Sequence, residues 1–512
     1  MNDARLVQPR MTGIFTMLVA CFALWGVLNN MTDNLVPAFQ KIFTMDQSRA
    51  GLVQVAFYGA YAVLALFASV LVEEFSYRKG VLVGLGIYIA GALMYIPACL
   101  MHSFDLYFMA IFVVASGCSL LETSCNPYVL SLGDESTAVR RLNFAQMFNP
   151  VGSIAGIFLA KELILAKLHP STAAERALMD EATLGAIVDK ELFWVCVPYV
   201  GLCAIAVVIW LFFLVGARRR DAADENAGVG RPALGPRLAR TAVAALCAVV
   251  PLAVLYALFP QMNKIVWILC GMTGPLACVA IVPSYRAMLV TLLRTPRYWC
   301  GVVAQFFYIG VQIAAWTWMN AYCQKELGVE KDVAANYYLI AIILFVVCRW
   351  TTTALMKRFN PASMMALFAS GAIAACAGVM YLPSTVLFGV AGLKFSGNVL
   401  CLVAMSGCMS LMFPTIYGIA LGGLDARAVK LGAAGLIMAI LGGAVITPWM
   451  ADVIGDPESV FAALVPRDDA TWDGNLRLSS ATLRASFAIP AICFAAVLAY
   501  ALAFRPRRRD GE

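Results

Sequence analysis

Residues Ile14 to Pro37 read IFTMLVACFALWGVLNNMTDNLVP, and the character of the stretch changes partway along it. It is long enough to cross a hydrocarbon core of about 30 Å as a single helix. Its outer part, Trp25 to Asn34, nevertheless carries five polar residues: Asn29, Asn30, Thr32, Asp33 and Asn34. An unpaired polar group in hydrocarbon is costly, so a helix with that surface cannot face lipid all round. The segment must line a cavity or pack against polar partners, and other membrane helices must surround it. Asp33 is the sharpest signal, because an acid inside a span is a functional-site hypothesis by default. The plainer alternative is that Asp33 marks the outer membrane interface, and Asn29 and Asn30, one turn deeper, weigh against it.

Composition agrees with a chain of many spans. The 512 residues are 62% hydrophobic and 13% charged, with a mean hydropathy of +0.81. A soluble domain is about half apolar and about a quarter charged, so a polytopic membrane protein is expected. The net charge of +7 does not point to nucleic acid, because Lys and Arg concentrate in alternate loops. The 16 cysteines fall mainly inside apolar stretches without CxxC spacing, and read as small hydrophobes rather than a disulfide or zinc framework. With two histidines, His102 and His169, both in loop contexts, a histidine relay or metal cage is not expected. No metal and no cofactor is implied. The N-terminus lacks a short apolar core followed by a cleavage site, so the first helix is expected to stay.

Apolar windows of about 20 residues recur along the chain. Six are expected in the first half: Ile14 to Pro37, Gly51 to Val72, Val81 to Leu100, Leu106 to Leu130, Phe144 to Leu165 and Phe193 to Val215. Six more close the chain: Trp299 to Tyr322, Asn336 to Leu355, Ala362 to Leu382, Val399 to Leu421, Gly432 to Val453 and Ala485 to Phe504. Two extra stretches, Thr241 to Phe259 and Ile265 to Val282, lie between the sets and raise the expected count to fourteen. A hairpin that never fully crosses is the alternative for that pair. The basic clusters Arg78-Lys79, Arg140-Arg141, Arg218 to Arg220, Arg286 with Arg294, Lys357-Arg358, Arg427 with Lys430, and Arg507 to Arg509 then share one side. That places both termini in the cytoplasm, in the cell membrane.

A weak internal repeat sets the architecture. Met94-Tyr95-Ile96-Pro97 closes the third span as Met380-Tyr381-Leu382-Pro383 closes the ninth of the twelve core spans. Gly117-Cys118 precedes Pro127 as Gly407-Cys408 precedes Pro414, and Arg141-Leu142 opens the fifth span as Lys430-Leu431 opens the eleventh. Glu73-Glu74-Phe75 and Lys357-Arg358-Phe359 follow the second and eighth. Matches in register argue for an all-α membrane protein of two six-helix bundles in parallel repeat, the major facilitator pattern. The expected organisation is residues 1–217 for the first half, 218–295 for a linker with the extra pair, and 296–512 for the second half.

Glu122 is the second acid, in Gly117-Cys118-Ser119-Leu120-Leu121-Glu122-Thr123-Ser124-Cys125-Asn126-Pro127. By helical rise, Asp33 lies outside the membrane midplane and Glu122 towards the inside. Glu122 is a functional acid or a structural one paired to a neighbouring helix. In the fifth span Asn143, Gln146 and Asn149 are three apart and share an arc of about 120°. In the seventh, Gln305, Tyr308, Gln312 and Trp316 fall within roughly 80° of one another. Amides donate and accept, as sugar hydroxyls do, and aromatic rings suit C–H faces, so both stripes fit a carbohydrate. Hydrogen bonding between helices is the bland alternative for each. Arg349 in the eighth span is a counter-ion to a buried acid or a snorkelling residue, and its position favours snorkelling.

These residues also resemble a known family. Ala23-Leu24-Trp25-Gly26 with Asn29-Asn30 and Asp33, Ala56-Phe57-Tyr58-Gly59, Ser76-Tyr77-Arg78-Lys79-Gly80, Leu121-Glu122-Thr123 with Asn126-Pro127, Arg141-Leu142-Asn143 with Gln146 and Asn149, Ala304-Gln305-Phe306 with Gln312 and Trp316, and Pro414-Thr415-Ile416 are similar to the fucose:proton symporter family. The resemblance implies that Asp33 carries the proton, that Glu122 takes part in sugar recognition and coupling, and that Asn149 lies in the sugar pocket. Asn29, Asn30, Asn143, Gln146, Gln305, Tyr308, Gln312 and Trp316 complete the candidate sugar site. The expectation is import of a monosaccharide, L-fucose, with a proton as co-substrate, by rocking of the two halves. The family also holds glucose and galactose carriers, so a glucose/galactose carrier, with sodium as the other candidate coupling ion, is the alternative. A sugar sensor would need a signalling domain, and an enzyme would need a constellation such as HExxH, GxSxG or a P-loop. The chain offers none of these. Sugar and membrane lipid are the expected partners, without nucleic acid, and the protein is expected to be a monomer.

Overall fold

The computed structural model describes residues 6–33, 35–45, 52–172, 175–176, 178–215, 234–258, 273, 276–277, 279–456, 460–461, 464 and 480–505. Among the described residues the regular structure is helical apart from one hairpin. In order, the helices are α1 (Thr12–Asp33), α2 (Leu35–Ile42), α3 (Leu52–Glu74), α4 (Tyr77–Leu93), α5 (Tyr95–Leu100), α6 (Phe104–Ser131), α7 (Ala138–Gln146), α8 (Phe148–Leu159), α9 (Glu181–Val215), α10 (Leu234–Leu258) and α11 (Pro283–Arg294). Then come α12 (Pro296–Leu327), α13 (Lys331–Leu355), α14 (Pro361–Tyr381), strands β1 (Val386–Val390) and β2 (Leu393–Ser396), α15 (Gly397–Met409), α16 (Met412–Leu421), α17 (Ala426–Met438), α18 (Leu441–Gly455), α19 (Ser480–Ala485) and α20 (Ala488–Ala503).

Among the described residues, twelve helical segments are long and apolar enough to span a membrane, and they match the two expected sets of six. The first of the two extra stretches falls in α10, while most of the second lies outside the described residues. The span ends are set by local chemistry. Ser76 Oγ accepts from Lys79 N at 3.2 Å to start α4, and Asn360 caps α14 through Ala362 N at 2.9 Å. Gly328 closes α12 in a left-handed conformation, φ +61°. Several spans are broken where proline frees a carbonyl a turn earlier. The fifth breaks at Met147 ahead of Pro150, and the tenth at Ser410–Leu411 ahead of Pro414.

The chain packs as two compact units. Unit 1 holds residues 1–138, 148–294 and 423–438; unit 2 holds 139–147, 295–422 and 439–512. Within unit 1, α6 packs on α3 and α4, α1 on α8, and α3 also meets α17 and α10. Within unit 2, α12 meets α18, α16 and α20, and α14 meets α15 and α20. The internal repeat is visible as one shared packing device. In unit 1 a Cβ at Gly26 of α1 would lie 2.1 Å from Asn149 O of α8. In unit 2 a Cβ at Gly442 of α18 would lie 1.9 Å from Phe306 O of α12. Only glycine lets backbones approach that closely, so the first and fifth spans lock as the seventh and eleventh do.

Candidate functional site

In unit 1 the candidate residues sit on α1, α6 and α8. Asp33 is the last residue of α1, and its side chain lies outside what the structure describes. Asn29 and Asn30 are half-buried on the same helix, and Asn29 Oδ1 is enclosed without a hydrogen-bond partner. Asn149 donates from Nδ2 to Phe22 O at 3.4 Å, a long bond that leaves its oxygen open. Glu122 lies on α6, half-buried, with no hydrogen bond or ion pair to any described residue. Around it Ser119 and Ser124 bond to the Tyr61 and Leu120 carbonyls at 3.2 and 2.6 Å, and so offer it nothing. The buried Tyr61 hydroxyl lies beside the Cys118 thiol and within electrostatic range of the Glu122 carboxylate.

Other carboxylates withdrawn from solvent contrast with Glu122. Glu191 holds Arg176 through two bonds of 2.6 and 2.9 Å. Glu73 pairs with Arg427 at 2.6 Å and Lys430 at 3.5 Å. Glu74 meets Arg240 at 3.2 Å and accepts from the Tyr285 hydroxyl. In unit 2 Glu326 takes Arg484 Nε at 3.0 Å, Asn398 Nδ2 at 2.9 Å and the Ser384 and Ser480 hydroxyls. A buried charge normally has such partners. Glu122 does not, and of the two readings of this acid the structural pairing is the one the geometry lacks.

In unit 2 the stripe on α12 runs along one unbroken helix, from buried to half-buried. Gln305 is fully buried with both amide atoms unpartnered, and Gln312 is half-buried with no hydrogen bond to a described residue. The polar atoms of the two aromatics are engaged between helices: Tyr308 Oη donates to Met409 O and Trp316 Nε1 to Ser406 Oγ, both at 3.1 Å. The Trp316 ring packs edge-on to Phe345, centroids 5.3 Å apart. Asn143 donates to Val139 O at 2.9 Å and Thr415 Oγ1 at 3.4 Å, leaving Oδ1 buried and unpartnered.

Two expectations need correction. Asn143, Gln146 and Asn149 do not share one helical arc, because the helix breaks at Met147; the first two belong to α7 and the third to α8. Arg349 does not snorkel. It is 3% exposed, donates to Ser410 O and, at 3.1 Å, to Gln146 O, and lies 4.5 Å from the Phe345 ring centroid. The carbonyls it takes are those that the two helix breaks leave without an intrahelical donor. Sequence reasoning also passed over Tyr61, and the Glu326 cluster around Arg484. The only hint of that cluster was an acid at the end of one apolar run and an arginine at the start of another.

Buried polar groups are normally satisfied, so those left open call for a ligand or water. An open carboxylate on unit 1 can accept from hydroxyl groups, and the open amides on unit 1 and beside an indole on unit 2 can both accept from and donate to them. Comparison with known proteins adds the following. The family model described as Major Facilitator Superfamily matches residues 14–447. The chain is 33% identical over 504 residues to the L-fucose-proton symporter of Haemophilus influenzae, covering 97% of this chain and 98% of that one. It is 26% identical over 446 residues to a glucose/galactose transporter of Brucella abortus, covering 86% and 88%. A crystal structure of the transporter FucP in the outward conformation superposes with a TM-score of 0.70 at 28% identity, covering 96% of this chain and 99% of that one.

Proposed function

The chain belongs to the major facilitator superfamily, and within it to the family of the L-fucose-proton symporters; from that premise we propose that it imports L-fucose together with a proton. It is a transporter and not an enzyme. The observation that carries the choice of sugar is the 33% identity, over nearly the whole of both chains, to a relative named for L-fucose. The identity to the glucose/galactose transporter is lower, 26%, and over less of the chain.

In this reading Asp33 is the proton carrier, and Glu122 both holds a sugar hydroxyl and couples it to the proton. The unpartnered state of Glu122 supports that role, since its charge is not committed to structure. Asn29, Asn30, Asn143, Gln146, Asn149, Gln305, Gln312 and Trp316 are the candidate sugar contacts. Tyr308, whose hydroxyl is bonded to a backbone carbonyl, contributes its ring. No cofactor is needed, because the proton is the co-substrate. Alternating access carries the sugar across, and the two-unit organisation with its repeated glycine contact supports it. The protein works as a monomer in the cell membrane with both termini cytoplasmic. It has fourteen spans: six in residues 1–217, a pair in 218–295 and six in 296–512. Helix α10, 25 residues long, supports the first of the pair.

The test is uptake of a panel of labelled sugars in a host lacking its own carriers. L-fucose entry that unlabelled D-glucose and D-galactose fail to displace is expected. Preferred entry of glucose or galactose would replace this reading with its alternative.

A further inference from the structure

At the end of unit 1 that carries Glu73 and Glu74, α11 shows two opposed faces. Tyr285, Met288 and Leu292 are buried, and the Tyr285 hydroxyl donates to Glu74. The opposite face exposes Arg286, Ala287, Val290, Leu293 and Arg294, with Ile281 just ahead of the helix 76% exposed. A cavity of about 400 Å³ opens on this face, lined by Ile281, Pro283, Arg286, Ala287 and Val290. Its single charged wall is Arg286, whose surroundings differ from those of four other arginines of this unit. Arg78 is bonded to the Phe213 and Leu214 carbonyls, Arg237 and Arg240 to Glu74, and Arg427 to Glu73. Arg286 has no hydrogen bond or ion pair from its side chain to any described residue.

An uncompensated guanidinium at the edge of an apolar trough is complementary to one kind of occupant. It needs a phosphate that accepts from the guanidinium in a fork, and an apolar tail continuous with it. A short helix with one face fixed on the protein and the other bearing Arg among Ile, Val and Leu also has the composition of a bilayer-interface helix. We propose that the exposed face of α11 is a binding site for an anionic phospholipid, with Arg286 pairing the headgroup phosphate and Ile281, Val290 and Leu293 taking the glycerol backbone and first acyl carbons. The Tyr285–Glu74 bond on the buried face then holds that lipid against the end of the second span.

The test uses the full chain in nanodiscs of phosphatidylethanolamine with a minor share of phosphatidylglycerol. Lipid retained after transfer to detergent is counted by native mass spectrometry. Wild type keeps phosphatidylglycerol in preference, and Arg286→Gln lowers that retention about fivefold, the factor equivalent to about 1 kcal/mol per basic residue near an anionic surface. Arg358→Gln, an equal loss of charge at an exposed site on unit 2, leaves it unchanged. Val290→Ser with Leu293→Ser, which keep the charge, lower retention as well. Retention in Arg286→Gln equal to wild type, or an equal loss in Arg358→Gln, overturns the site. Full retention in the serine double variant overturns the acyl contact and leaves only ion pairing with a phosphate.

Discussion

Glu122 and Glu326 are two withdrawn acids with opposite surroundings, and replacing each by glutamine should produce opposite defects. Glu326 is tied to Arg484, Asn398, Ser384 and Ser480 across three separate stretches of unit 2. Removing one member of a buried ion pair costs about 3–5 kcal/mol, so Glu326→Gln should melt well below wild type. Its sugar affinity should change little, since Glu326 itself is bonded to Arg484, Asn398, Ser384 and Ser480 and to no candidate sugar residue. Glu122 has no hydrogen-bond or ion-pair partner among the described residues, so Glu122→Gln should melt like wild type or above it. Its effect falls on the ligand. A hydrogen bond to a charged acceptor contributes about 1.5–3 kcal/mol and one to a neutral acceptor about 0.5–1.5, a difference of about 1–2 kcal/mol. L-fucose affinity should therefore weaken by roughly tenfold. The residual binding should lose part of its dependence on pH, because an amide does not titrate in the range that matters. Calorimetry on purified, monodisperse variants across about pH 5 to 8, beside thermal melts, reads both quantities. Wild-type affinity with a wild-type pH profile in Glu122→Gln would refute the reasoning, as would a melting loss equal to that of Glu326→Gln.

Asp33→Asn should abolish accumulation against a gradient while leaving sugar exchange in place, because an amide cannot cycle a proton; full accumulation in transport assays would remove Asp33 as carrier. Arg349→Met should leave the Ser410 and Gln146 carbonyls buried and unpaired, at about 1–3 kcal/mol each, and lower the temperature at which the monodisperse peak is lost on heating. Melting like wild type would contradict the bridging role. Cysteines at Ala227, Pro236 and Thr295 should react with an impermeant reagent only from the inside, and one at Gln261 only from the outside. Labelling of Gln261 from the inside alone would reduce the pair of extra spans to a hairpin that does not cross.

The twelve spans were legible because an apolar run long enough to cross a bilayer has one use in such a chain, and their ends are marked by Ser76, Asn360 and Gly328. The pairing of first with fifth and seventh with eleventh spans was latent in Gly26 and Gly442, but a glycine alone does not name its neighbour. The break at Met147 was not foreseen, although Pro150 was in view, because proline restricts a helix without fixing which residue leaves it. That break also undid the shared arc of Asn143, Gln146 and Asn149, since a constant angle per residue holds only within one helix. Arg349 was misread for a related reason. Sequence shows a long cation in an apolar run, and the carbonyls that receive it belong to Ser410 and Gln146, far along the chain. The hairpin of β1 and β2, turned at Ala391 and Gly392 with positive φ, lay in what the span count left as a loop.

The central claim is that sugar and proton enter together, and one recording tests it. L-fucose is added to de-energised cells carrying the protein, in a weakly buffered suspension, while external pH is followed. The account predicts prompt alkalinisation with L-fucose, none with D-glucose or D-galactose, and none with L-fucose in cells carrying Asp33→Asn. Entry of labelled L-fucose without any pH change, or alkalinisation evoked by galactose or glucose instead, would contradict it.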